Sequence, residues 1–254
     1  MKFSANLGFL WADRRLPEAI CAAGKAGFDA VECHWPYDTP PEEVRAALSE
    51  TGLSMLSLNT RPGNPGEFGL CALPNREVEA REAIDEALAY AAEIETPKIH
   101  VMAGIAEGHD AHHCFAENLK YASDKARAQT IEVLIEPINT KDVPGYFLNT
   151  TSQALTLIDA LNHPNLKLLF DCYHVQLMEG DVIRLLQLLL PVIGHIQIAS
   201  VPDRGPPDHG EVDYAGVFEL LKRLEYGDPI WAEYNPTGLT GLSLDWLRSY
   251  HIVD

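Results

Sequence analysis

Four short apolar segments each end on a side chain that offers oxygen or amide donors. They read VLIE, KLLFD, HIQ and IWAE, and they end on Glu136, Asp171, Gln197 and Glu233. The gaps are 35, 26 and 36 residues (171−136, 197−171, 233−197), each about one strand–helix unit. A single carboxylate at a strand end commonly faces water. Four such ends in succession are better explained by consecutive parallel strands closing into a barrel, whose C-terminal mouth carries the site in this architecture. Three carboxylates and an amide around one point repel unless a cation sits among them. Donors this hard favour Mg²⁺ or Mn²⁺ over a thiolate-type zinc site, with Zn²⁺ or Co²⁺ left open.

Other residues could join that chemistry. His174 lies three residues after Asp171 and reads either as a surface histidine at a helix start or as a neutral donor to a substrate oxygen. His100, in IHVMAG, faces either the same mouth or the barrel wall. His195 shares a strand face with Gln197 and suits the deep interior. Arg204, in SVPDRGPPDHGE, is either an exposed loop arginine or a clamp for a carboxylate or hydroxyl, with Glu211 as its expected ion-pair partner. Arg61 and Arg76 are rival anion contacts, Asn59 ends a strand within reach of substrate, and Glu67 is expected to brace its loop. His109, His112 and His113 sit at a polar helix start without H-E-x-x-H spacing and are expected to be solvated. There is no G-x-S-x-G, and no cysteine has a convincing local partner. Proton transfer therefore suits the chain better than covalent catalysis.

The elements that must position these residues alternate to the end of the chain. Strands are expected at 2–7, 28–33, 53–59, 98–104, 130–136, LKLLFD, IGHIQIA and PIWAEY. Helices are expected at about 14–26, from Pro40 and Pro41 to Gly52, at about 75–95 and 110–128, from an N-cap at Thr151 or Ser152 to about 161, and at about 179–190, 214–225 and 242–250, with Gly27 and Gly52 as C-caps. Ile84, Leu88 and Ala91 mark one buried stripe; Val217, Leu220, Leu221 and Leu224 mark another. Eight strand–helix pairs imply a parallel sheet closed as a single (β/α)₈ TIM barrel over residues 1–254. An open doubly wound sheet is the alternative, weakened because no strand is followed by G-x-G-x-x-G or a P-loop. The loop TRPGNPGEFGLCALPN exceeds the usual connection, and loops that long are often functional.

Composition narrows the partners. The balance of 19 Lys+Arg against 37 Asp+Glu gives −18, which repels nucleic acid and anionic lipid. An anionic substrate would need a local basic pocket. Five scattered cysteines without C-x-x-C fit free thiols in a reducing cytoplasm. No segment approaches the ~20 apolar residues of a membrane span. A homo-oligomer stays open, because no decisive apolar patch is visible.

The stretches FSANL, KAGFDAVE, NTRPGNPGEFGL, LPNRE, IHVMAG, the strand ending in Glu136, FDCYH, HIQIASVPDR, GEVDY and EYNPTG run through nearly the whole chain. In that order and spacing the chain resembles the hydroxypyruvate isomerase family, including its 2-oxo-tetronate isomerases, within the xylose-isomerase-like barrel superfamily. IHVMAG and the overall wording stand nearer the 2-oxo-tetronate branch. The resemblance implies an aldose–ketose type isomerisation of a small hydroxy-oxo acid, hydroxypyruvate or a 2-oxo-tetronate. It implies that Glu136 and Glu233 donate and accept the proton. It places the superfamily's metal set on Glu136, Asp171, Gln197 and Glu233, with Gln197 where related sugar epimerases carry histidine. Substrate binding falls on His174 and Arg204. Many relatives carry a lysine where this chain has Asn235, which bears on which acid is preferred. A metal-dependent ketose 3-epimerase is the nearest rival; a lyase or dehydratase and a non-catalytic sugar-acid binding protein are further ones. Apurinic-site endonucleases share the superfamily but need several strand-end histidines, and here the third strand ends in Asn59.

Overall fold

A computed structural model describes residues 1–236 and 238–251. Thr237 of EYNPTG and the last three residues of the expected domain lie outside the described residues. The elements in chain order are β1 (Phe3–Asn6), α1 (Leu16–Ala26), β2 (Ala30–Glu32), α2 (Pro41–Thr51), β3 (Ser54–Met55), β4 (Leu58–Asn59) and α3 (Glu77–Glu93). They continue with β5 (Lys98–His100), α4 (Gly108–Arg127), β6 (Glu132–Ile135), α5 (Thr151–Leu161), β7 (Leu166–Asp171), α6 (Cys172–Met178) and α7 (Val182–Leu189). The last four are β8 (Ile193–Ile198), α8 (Tyr214–Arg223), β9 (Ile230–Ala232) and α9 (Asp245–His251). Among the described residues no helix is long and apolar enough to cross a membrane.

Contacts gather the chain into two compact units. The first comprises Met1–Met55, Asp171–Pro191 and Ile196–Asp254. Its parallel ladder runs β3-β2-β1-β9 and on to the end of β8. Phe3 anchors its core, edge-on to Phe218 at 5.6 Å and to Trp246 at 5.2 Å. The second unit comprises Leu56–Phe170 and Val192–His195. Its parallel ladder runs β7-β6-β5-β4. Ile99, Val133, Leu134 and Leu168 fill its strands, all fully buried, as parallel strands covered on both faces require.

Three expected elements differ. The third strand is two pieces: Ser54–Met55 pairs with β2 and Leu58–Asn59 pairs with β5, with Leu56 and Ser57 between them. The helix expected at 179–190 is preceded by a separate one, Cys172–Met178, capped by Asp171, whose Oδ1 accepts from the Tyr173 N–H at 2.8 Å. The N-cap of α5 is Thr150 rather than Thr151 or Ser152, because its hydroxyl accepts from the Gln153 N–H. The caps expected at Gly27 and Gly52 are present, both in the left-handed region.

Candidate active site

Register alone brings one set of side chains together. In the first unit, Asn6 of β1 lies opposite Glu32 of β2, and Ser4 lies opposite Trp231 of β9. Trp231 lies opposite Gln197 of β8. Side chains two apart on a strand share a face, so Asn6, Glu32, Gln197 and Glu233 all point the same way. Gln197 stands one layer deeper than Glu233, and its long side chain spans the step.

Contacts confirm the convergence. The Asn6 amide Nδ2 donates to Glu32 Oε1 at 2.8 Å and to Glu233 Oε2 at 2.6 Å. Gln197 Nε2 donates to Glu233 Oε2 at 2.5 Å and lies 3.3 and 3.4 Å from the two Glu32 oxygens. Arg204 Nη2 donates to Glu233 Oε1 at 2.5 Å and lies 3.7 Å from Asp171 Oδ2. His174 Nε2 stands 3.4 Å from the same Asp171 oxygen. All these side chains except Arg204 are buried, and Arg204 keeps only 15 % of its side chain accessible.

The electrostatics follow from that packing. Burial pushes the Glu233 carboxyl up to about 7, the Arg204 cation pulls it down, and the Asp171 carboxylate pushes it up again. Glu32 is raised well above the usual carboxylate range, first by burial and then by Glu233. A carboxyl near 7 can both take and give a proton at neutral pH, which general acid–base chemistry needs.

Arg204 is held from three sides. Its guanidinium lies 4.6 Å from the ring centre of Phe9 and 5.0 Å from that of Tyr173, a cation between two aromatic faces. Its backbone adopts φ 51°, a left-handed conformation unusual for a side-chain-bearing residue. The Asn235 N–H fixes it by donating to the Arg204 carbonyl at 2.7 Å, and the Ser200 N–H donates to the next carbonyl, Gly205, at 2.9 Å. Gly210, at φ 89°, closes the loop where a Cβ would strike the Val201 carbonyl oxygen at 2.4 Å. Glu211, expected to hold the arginine, instead accepts from Gln176 at 3.4 Å on the surface. Glu233 is the carboxylate in contact with Arg204.

The second unit holds the remaining expected residues. Glu136 follows β6 and is buried. His100 lies opposite Leu134 in the ladder, hence on the face of Glu136 two residues on, and its Nδ1 stands 3.6 Å from Glu136 Oε2. Asn59 ends β4 opposite His100. Tyr146, raised by burial and by the Glu136 charge, accepts the Ala103 N–H at 3.0 Å. Burial, then the Lys98 and His100 charges, push His195 well below its ordinary value and hold it neutral, in keeping with a deep interior position. Arg61 is committed to Glu86, and Arg76 to Glu67 and Glu79, so neither rival cation is spare for an anion. Glu67 braces its loop by accepting the Asn64 N–H at 2.7 Å, as expected. His109, His112 and His113 are exposed.

Asn6, Glu32, Phe9 and Tyr173 join the site although none is among the expected residues. Asn6 and Glu32 carried the same signal as the others, a polar residue closing an apolar strand, in FSAN and AVE. His34 is also outside the expected set. It is edge-on to Phe9 at 5.4 Å, and Gly8 makes room for it, since a Cβ there would fall 2.2 Å from His34 Nδ1. Burial and the Arg204 charge push it down to about 4, so it is neutral at physiological pH.

Comparison with known proteins shows the family of the chain. The family profile described as xylose isomerase-like TIM barrel matches residues 20–250. The chain is 43% identical over 255 residues to a 2-oxo-tetronate isomerase of Cupriavidus necator, covering 98% of each. It is 40% identical over 263 residues to a putative hydroxypyruvate isomerase of Homo sapiens, covering 98% of this chain and 95% of that protein. A solved structure from Brucella melitensis titled AP endonuclease, family 2, superposes with a TM-score of 0.94 at 38% identity, covering 98% of each chain.

Proposed function

The chain belongs to the xylose isomerase-like TIM barrel family and is an isomerase; from that premise we propose that it acts on a small hydroxy-oxo acid, hydroxypyruvate or a 2-oxo-tetronate. Glu136 and Glu233 are the proton-transfer pair. A C–H bond beside a carbonyl is weakly acidic, so one glutamate removes that proton while the electrons move onto the carbonyl oxygen, giving an enediolate. The other glutamate protonates the neighbouring carbon, the former carbonyl carbon. The hydroxyl proton passes between the two oxygens, and carbonyl and hydroxyl exchange places with no net oxidation.

The observation that carries this reading is Glu233 itself: a buried carboxyl near 7, held by N–H donors from Asn6, Gln197 and Arg204. Arg204 is the cation on offer to the substrate carboxylate, a local basic site in an acidic protein. His174 and Asn59 are further contacts to substrate oxygens. His100, 3.6 Å from Glu136, is a further substrate contact.

Glu136, Asp171, Gln197 and Glu233 are the donors that would hold a divalent cation, Mg²⁺ or Mn²⁺ ahead of Zn²⁺ or Co²⁺. One feature of the site fits such an ion: Gln197 Oε1 is buried without a hydrogen-bond partner, its amide N–H end being turned to the carboxylates. A bound cation would withdraw electron density from the substrate carbonyl.

Glu136→Gln and Glu233→Gln should each lower kcat by about 10²–10⁴-fold at unchanged melting temperature. Hydroxypyruvate, a 2-oxo-tetronate and ketoses should be offered separately in D₂O, with carbon-bound deuterium uptake as the readout. Exchange into the acids alone supports the assignment, and exchange into ketoses alone replaces it with the epimerase. In the direction where Glu233 is the base, kcat/KM should rise with pH through about 7, the value that burial gives its carboxyl. Near-normal activity in either glutamine variant would remove the two-glutamate scheme.

A further inference from the structure

Glu32 is a third buried carboxyl beside Glu233, and neither the proton transfer nor the substrate contacts above use it. Two amides, Asn6 and Gln197, donate to it, and each also donates to Glu233. The orientation of each amide therefore decides whether Glu233 meets an N–H or a carbonyl oxygen. Asn6 is partly fixed by its own loop, because its Oδ1 accepts the Gly8 N–H at 2.8 Å. Gln197 has no such anchor: its Oε1 is buried without a partner. For Gln197, the second acceptor that selects the N–H end is Glu32.

We propose that Glu32 is a positioning residue that sets the polarity of the Asn6 and Gln197 amides, so that both N–H ends serve Glu233 and the Gln197 oxygen is left facing the site. The proposal rests on the reading of Glu233 as a proton-transfer group for its effect on turnover, but not for its effect on the amides. The Glu32 oxygens accept from both NH₂ groups, whereas a glutamine at position 32 would turn a donor toward one of them. The easiest relief is to flip Gln197, which has least to lose. The flip would point Oε1 at Glu233, replacing an attraction with a repulsion between lone pairs and withdrawing the open oxygen from the site.

The experiment compares wild type with Glu32→Gln, Asn6→Ala and the double variant, and adds Glu32→Leu in case the glutamine variant does not fold. Side-chain NH₂ resonances of Asn6 and Gln197, assigned by Asn6→Ala and Gln197→Ala, report the amide orientation directly. Expected are displaced Asn6 and Gln197 signals in Glu32→Gln, with the Gln197 signal moving further. With hydroxypyruvate or a 2-oxo-tetronate as substrate, kcat should fall about 10–100-fold, the range for one or two lost charge-assisted hydrogen bonds, while KM changes less than about twofold. The losses from Glu32→Gln and Asn6→Ala should be strongly non-additive, which a residue contributing stability alone would not produce. Unmoved amide signals in a folded Glu32 variant, or losses that simply multiply, would overturn the proposal. If Glu233→Gln stays active while the amide signals still move, Glu233 loses its role and the positioning of the amides stands.

Discussion

Under the proposed function Arg204 serves two charges at once. It is the cation that makes a buried Glu233 tolerable, and it would be the group on offer to a substrate carboxylate. A flat guanidinium suits that double use, because its edge donates hydrogen bonds while its faces pack on Phe9 and Tyr173. Lysine would keep the charge and lose both the fork and the stacking. Arg204→Lys should therefore lower kcat/KM by about 10–10²-fold, chiefly by raising KM, with the fold intact by circular dichroism. An unchanged KM would show that the clamp holds Glu233 alone. Glu233 and Arg204 were legible in the sequence because each stands out from its surroundings, one closing IWAE and the other lying in a Pro- and Gly-rich loop. Glu32 was not, because one acid closing a three-residue strand looks like any solvated strand end until register sets it opposite Asn6.

The loop after β8 shows how an element can be built to hold one side chain. Ser200 donates to Asp203 Oδ1 at 2.5 Å, and His209 bridges Asp203 at 3.0 Å and Asp208 at 2.6 Å. The hydrogen bonds to Asp208 and Asp203 raise the His209 imidazole above its ordinary value. The Ser200 hydroxyl, then His209, lower Asp203 to about 2. For Asp203, the pairing contributes stability above the ordinary value of 3.8, and that is lost as pH falls toward 2. For His209 the stabilisation is full below 6.5 and is lost as pH rises through its raised value. Amide hydrogen exchange across residues 200–211, corrected for intrinsic rates, should show protection decreasing on the alkaline side. His209→Gln should remove that pH dependence; a loop equally protected at all pH values would contradict it. The broad elements were readable from strand–helix alternation, but two boundaries were not. Leu56 and Ser57 continue a strand-like alternation although they lie outside both ladder pieces, and α6 is capped by Asp171, which reads first as a strand end.

Across the whole molecule, the acidic excess and the basic site act on different length scales. A formal charge of −18 repels an anionic substrate from a distance, and salt screens that repulsion within about 10 Å at 0.1 M. The clamp at Arg204 is short-ranged and nearly enclosed, so salt weakens it less. Raising ionic strength from about 0.01 to 0.15 M should therefore increase kcat/KM for an organic acid anion. A steep decrease would mean that exposed positive charge steers the substrate instead. Net charge was plain from composition. The local exception to it was not, because two other arginines competed for the role until Arg61 and Arg76 proved to be taken by glutamates.

The anchor under Arg204 is a main-chain group: the N–H of residue 235, whichever side chain that residue bears. Position 235 is thus uncoupled from the integrity of the clamp. A lysine in place of asparagine there would keep the same N–H, so the side chain at 235 can change without removing the bond that seats the arginine.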